Sequence, residues 1–181
     1  SRVVGKKNRT TGSMAVRGVA YDETLGGRNF DAVVTDMLIE HFEKTHPKAS
    51  SPRTSAKAMG KLRKEAERIK DVLSANTQFQ VGIEGVHEDR DIRMVIKRAD
   101  FEERASALWP RLTPPIERAL AQANLTAADV ARVEIIGGAT RIPRVKEAAR
   151  AFFDRTMSAS LNGDEAGALG ATLYAAKLST S

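Results

Sequence analysis

Glu67, Lys70 and Ser74 stand three and four residues apart in the stretch KLRKEAERIKDVLSAN. On a helix that spacing puts a carboxylate, an ammonium and a hydroxyl on one face. Such a row can bind vicinal hydroxyls and the edge of a heterocycle. At about 100° per residue the row lies roughly a quarter-turn from the apolar stripe Met59, Leu62, Ala66, Ile69 and Leu73, where a cleft-lining helix presents ligand contacts. From spacing alone an exposed helix surface with a Glu67–Lys70 or Glu67–Asp71 pairing reads the same way.

A second candidate is VEIIGGATRIP (133–143), where an apolar run stops at Gly137-Gly138 and Arg141 follows at the mouth of a helix. Glycines allow a ligand close to the backbone, and a helix start offers unpaired N–H groups to an anion. Arg141 adds a planar cation able to bond phosphate or stack on a purine. Pro143 suits a first helical turn, where its missing N–H costs nothing. A plain strand-to-helix turn is the other reading. Two weaker candidates are the pair Gly26-Gly27 in LGGRNFD and Asp164, which opens a small-residue helix in LNGDEAGALGATLYAA. Caps and close-packed helix faces produce the same residues.

Several chemistries are missing. There is no cysteine, and His41, His46 and His87 have no metal-ligand spacing. Neither a G-x-x-x-x-G-K-S/T loop, a G-x-G-x-x-G fingerprint nor a G-x-S-x-G elbow occurs. The formal charge of +6 raises nucleic acid as a partner. However, its basic residues alternate with acids along helices, and aromatics make up only 5%, too few for base stacking.

The 181 residues, 41% hydrophobic and 29% charged, fit a soluble globular chain of one domain or two small lobes. No apolar stretch approaches the roughly 18 residues that span a bilayer. The polar arm SRVVGKKNRTTGS reads as the start of a piece cut from a longer protein, so the lack of a leader says nothing of location.

The elements that must position these groups follow from periodicity. MAVRGVAYDE (14–23) reads as a strand. FDAVVTDMLIEHFEKTH reads as a helix with Phe30, Val33, Val34, Met37, Leu38 and Phe42 inward, ended by Pro47. After the loop KASSPRTS a long helix runs to about Ala75. QFQVGIEGV and DIRMVIKRA read as strands joined by the acidic HEDRD, and ADFEERASALW as a helix started by Asp100. IERALAQAN, RVKEAARAFFD and a last segment to Leu178 read as helices, with VEIIGG as a strand. Alternating strands and helices place the chain in the α/β class. No internal repeat is visible.

In this order, LGGRNFD, EAERIKDVLSAN, VEIIGGATRIPRVKEAARAFF and SLNGDEAGALGATLYAAKLS resemble the nucleotide-binding domain of the seventy-kilodalton heat-shock chaperones, from about Met14 to Ser179. The resemblance implies an actin-like ATPase (ribonuclease H-like) fold of which only the second lobe is present. It implies a base subdomain of residues 1–45 and 110–181, with a helix and antiparallel-sheet subdomain, 46–109, inserted between. It also implies ATP or ADP as ligand, with Mg in the full two-lobed domain. Arg141 would lie against the adenine with Gly137 and Gly138, and Ile142 would line the pocket. Glu67, Lys70 and Ser74 would hold ribose and base. Gly26 and Gly27 would lie near ribose and phosphates, and Asp164 near the base. The implied partners are the first lobe, a peptide-binding domain, and co-chaperones or a partner chaperone. The family's phosphate loops do not occur in this sequence, so this chain would supply the adenosine half of the site without hydrolytic machinery.

Three positions depart from the family pattern. Asp71 stands where the ordinary chaperones carry an adenine-stacking arginine, Ala139 where they carry serine, and Gly163 where they carry proline. A lost arginine stack weakens binding by about 1 kcal/mol. These departures resemble the family's large divergent relatives, which act as nucleotide exchange factors and holdases and include an endoplasmic-reticulum luminal branch. The sequons Asn8-Arg9-Thr10 and Asn124-Leu125-Thr126 suit that lumen, with the cytoplasm as the alternative. Two other readings stay open: a nucleotide-free interaction scaffold of the same fold, and a basic nucleic-acid-binding domain.

Overall fold

The structure is a computed structural model describing residues 15–154, 161–163 and 165–179. The N-terminal sequon and Asp164 therefore lie outside the described residues.

The two long helices form where the apolar spacing of three and four places them. Helix α1, Gly27–Thr45, buries Phe30, Val34, Met37, Leu38, Ile39 and Phe42. Its start is capped by the Asn29 side chain, whose Oδ1 accepts from the Gly26 N–H at 2.8 Å. Helix α2, Ala56–Ala75, is capped by Ser55 Oγ, which accepts from the Ala58 N–H. It buries Ala58, Leu62, Ala66, Ile69 and Leu73. Met59 is only partly buried against the core.

Strands β1 (Gln78–His87) and β2 (Arg90–Lys97) form a two-stranded antiparallel sheet. Ile83 pairs with Ile92 and Phe79 with Ile96. The register breaks between Ile83 and His87, where Gly85 has φ +51° and donates its N–H to Asp91 Oδ1. That irregularity shifts the parity of β1, so Val86 turns inward after Val81 and Ile83. The turn is made by Glu88 and Asp89 at φ 50° and 55°, a left-handed pair usually filled by Asn-Gly. The Glu88 carboxylate accepts from the Ser50 N–H and Oγ, which ties this turn to the loop before α2 and holds the carboxyl below its usual range.

Helix α3 is shorter than its sequence pattern, Arg98–Arg104, because the chain turns at Ala105 and buries it. Trp109 then stacks on Phe30 at 5.2 Å and donates its Nε1 proton to the Glu102 carbonyl. The sheet, α1, α2 and α3 thus share one apolar core.

The later residues form helices α4 (Pro114–Ala123), α5 (Pro143–Phe153) and α6 (Ala166–Ser179). The two remaining strand expectations need correction. Residues 15–23 are irregular, and 133–138 carries only a single bridge residue, Glu134. A strand needs a neighbour to exchange hydrogen bonds with. The first segment instead lies along α4, where the Val19 N–H donates to Gln122 Oε1 and Arg118 donates to the Tyr21 carbonyl. After Ala105, Ile142 is the one fully buried apolar side chain among the described residues. It joins the same core as α1.

Candidate functional site

Lys70 departs from its expected position at the margin of the apolar stripe. It is buried, at 6% exposure, and its Nζ stands 2.7 Å from Asp31 Oδ1 of α1. Burying an ammonium without a counter-charge is strongly unfavourable, so the pair explains why this lysine can turn inward. A Cβ built on Gly27 would lie 3.7 Å from Nζ, which puts the ammonium against the start of α1. The Ser74 hydroxyl donates to the Lys70 carbonyl at 3.0 Å, so its proton is engaged within the helix while its lone pairs remain available. Glu67 is exposed.

Glu67 and Asp31 both line a cleft of about 600 Å³ between α1 and α2, together with Arg28, Thr35, Arg63 and Lys64. Arg53, also on its wall, is held by Asp36 at 2.8 Å. Gly26 is exposed at the cap of α1, one residue before this surface.

The glycine doublet forms a second cleft, of about 260 Å³, lined by Gly137, Gly138, Thr140, Arg141, Lys146 and Leu161 among others. Gly137 has φ +105°, a conformation that side-chain-bearing residues rarely adopt. Its carbonyl accepts from the Thr140 N–H and Oγ1, which closes a single helical turn over Gly138–Arg141. Arg141 is exposed and makes no ion pair among the described residues. Ile142 caps α5 from within the core and is 1% exposed, so it anchors the turn from beneath. The two clefts share no lining residue. They are linked through α1, which packs on α2 and also touches the glycine turn.

Sequence reasoning missed Asp31 and Lys146. Asp31 is one turn after Gly27 and so shares its face, but its partner lies on another helix, and no local spacing reveals that contact. Lys146 is three residues past Pro143 on the first turns of α5, a signal available but not distinctive. Among the described residues no group of three His, Cys, Asp or Glu could hold a metal ion, and no helix is long and apolar enough to cross a membrane.

Comparison with known proteins assigns the chain to a class. The family model described as Hsp70 protein matches residues 8–181, and the chain belongs to that family of heat-shock chaperones. Among its relatives, a heat shock protein homolog of Naumovozyma castellii is 42% identical over 165 residues, covering 91% of this chain and 24% of that protein. The corresponding heat shock protein homolog of Eremothecium gossypii is 43% identical, covering 91% and 23%. Hypoxia up-regulated protein 1 of Danio rerio is 36% identical over 175 residues, covering 96% and 18%. The chain spans a quarter or less of the length of these three relatives. The similarity is thus to large, divergent members of the family, as the departures at Asp71, Ala139 and Gly163 imply.

Proposed function

We propose that this chain is the adenosine-holding part of an ATP-binding lobe in a heat-shock chaperone of the exchange-factor type. In this reading it is the second lobe of an actin-like fold. Residues 1–45 and 110–181 form its base, and 46–109 form the inserted helix and sheet. The observation that carries the reading is the turn at Gly137–Arg141. It has a positive-φ glycine, a bare doublet flooring an open cleft, and a guanidinium at its rim with no ion-pair partner among the described residues.

The adenine would sit on the doublet under Arg141, with Asp164 near the base. The ribose would reach toward Glu67, Lys70 and Ser74, past Gly26 and Gly27. A bound nucleotide would therefore draw together two surfaces that are separate clefts in the free chain. The other lobe would bring the phosphate loops and Mg, and closure of the lobes over ATP would be read by a peptide-binding domain, a co-chaperone or a partner chaperone. The part played here is binding and orientation rather than the chemical step. The compartment proposed is the endoplasmic-reticulum lumen, with the cytoplasm as the alternative.

Isothermal titration of the full-length protein with ATP and ADP tests this. Saturable heat is expected, weakened about tenfold or more in Arg141→Ala. Absence of heat at millimolar nucleotide would make the fold an interaction scaffold. Displacement of bound nucleic acid by salt, but not by adenine nucleotide, would favour the nucleic-acid reading.

A further inference from the structure

Lys70 is a buried cation whose charge is cancelled on the spot. Asp31 Oδ1 stands 2.7 Å from its Nζ, and the two side chains bridge α1 and α2 at the cleft that Asp31 and Glu67 line. At 2.7 Å the buried Oδ1 is within the range of a charge-assisted hydrogen bond from Nζ. An ammonium carries three N–H donors, so Lys70 keeps others when one is spent on Asp31. Gly27 supplies the third constraint, because the ammonium lies against backbone that carries no side chain.

These relations decide what kind of ligand group Lys70 suits. A free ammonium attracts phosphate by its charge. One compensated at ion-pair distance exerts little net field on a nearby polyanion, while its protons still bond to neutral oxygens. Resting on the nucleotide reading above, we propose that Asp31 is a positioning residue that sets the specificity of that site. It fixes Lys70 against Gly27 and cancels its charge, so that Lys70 donates to the uncharged hydroxyls of the ribose instead of gripping phosphate. The cations free to meet phosphate from this side are Arg28, Arg63 and Lys64, which line the same cleft and make no ion pair among the described residues.

The test compares adenosine, ADP and ATP binding to the full-length protein and its Asp31→Asn variant. Asp31→Asn keeps the shape and uncovers the charge. It is expected to weaken adenosine on the order of tenfold, and ATP much less, so that the preference for ATP over adenosine rises by about that factor. ATP binding should also become more sensitive to salt. Equal weakening of all three ligands would mean that Asp31 is merely structural and would overturn the proposal while leaving the nucleotide reading intact. No binding of any ligand to the unaltered protein would overturn both. Should Asp31→Asn fail to fold, Asp31→Glu carries the test. It retains the charge, so the ATP-to-adenosine ratio should stay at the wild-type value, and a risen ratio contradicts the proposal.

Discussion

Arg111 holds Asp22 through two nitrogens, Nε at 3.1 Å and Nη2 at 2.8 Å from Oδ2, across 89 positions of sequence. The Asp22 carboxylate also accepts from the Thr24 N–H and Oγ1, so the turn leading into Gly26-Gly27 is fixed from both sides. The Arg111 hydrogen bonds, followed by those of Thr24, hold its carboxyl below the ordinary value of 3.8. A lowered carboxyl contributes stability above its ordinary pKa and loses that contribution as pH falls through the lowered one. Arg111→Ala should raise the Asp22 pKa toward the ordinary value, as read by carbon-13 titration of the side chain. An unmoved titration would show that the bidentate contact is not formed in solution.

Two glycines should respond to alanine in opposite directions. A Cβ on Gly18 would collide with the Ala119 carbonyl oxygen, whereas one on Gly60, in the body of α2, meets nothing within 4 Å. Gly18→Ala is expected to destabilise by about 1–3 kcal/mol through overpacking of the segment along α4. Gly60→Ala should stabilise by about 0.5–1 kcal/mol. Urea unfolding of both variants checks the pair, and a reversed order would place the first segment elsewhere.

Leu62 is fully buried in the core that α1, α2, α3 and the sheet share. Leu62→Ala should cost about 2–5 kcal/mol, while Met59→Ala at the edge of that core should cost less. The same unfolding measurement decides it. Equal costs would mean that the apolar stripe of α2 is rotated from the position described.

The parts legible in the sequence were those whose pattern is local. Phe30, Val34, Leu38 and Phe42 announce α1 because a helix repeats its own face. Val81, Ile83, Ile92 and Ile96 announce the hairpin because a strand alternates. Residues 15–23 and 133–138 carry the same kind of signal without forming strands, since strand formation is a relation with a neighbour that local alternation does not reveal. The candidate site divides likewise. Gly137, Gly138 and Arg141 lie within five consecutive residues, and their common turn could be read from type and order. Lys70 could not be placed, because its burial depends on Asp31, 39 positions earlier on another helix.

Asn124 bears on the compartment. It ends α4 in the left-handed conformation, φ 55°, is exposed, and begins the Asn-Leu-Thr sequon. If the protein works in the endoplasmic-reticulum lumen, Asn124 should carry a glycan in its native host. A mass shift on glycosidase treatment, lost in Asn124→Gln, would show it. An unmodified Asn124 in protein recovered from that host would favour the cytoplasm.

The central claim is that the turn at Gly137–Arg141 and the flank of α2 from Glu67 to Ser74 hold the same nucleotide. Hydrogen exchange of the full-length protein, with and without ADP, tests it most directly. The account predicts that peptides covering 134–145 and 64–76 gain protection together and at the same ADP concentration. Protection of one without the other, or of neither at saturating ADP, would contradict it.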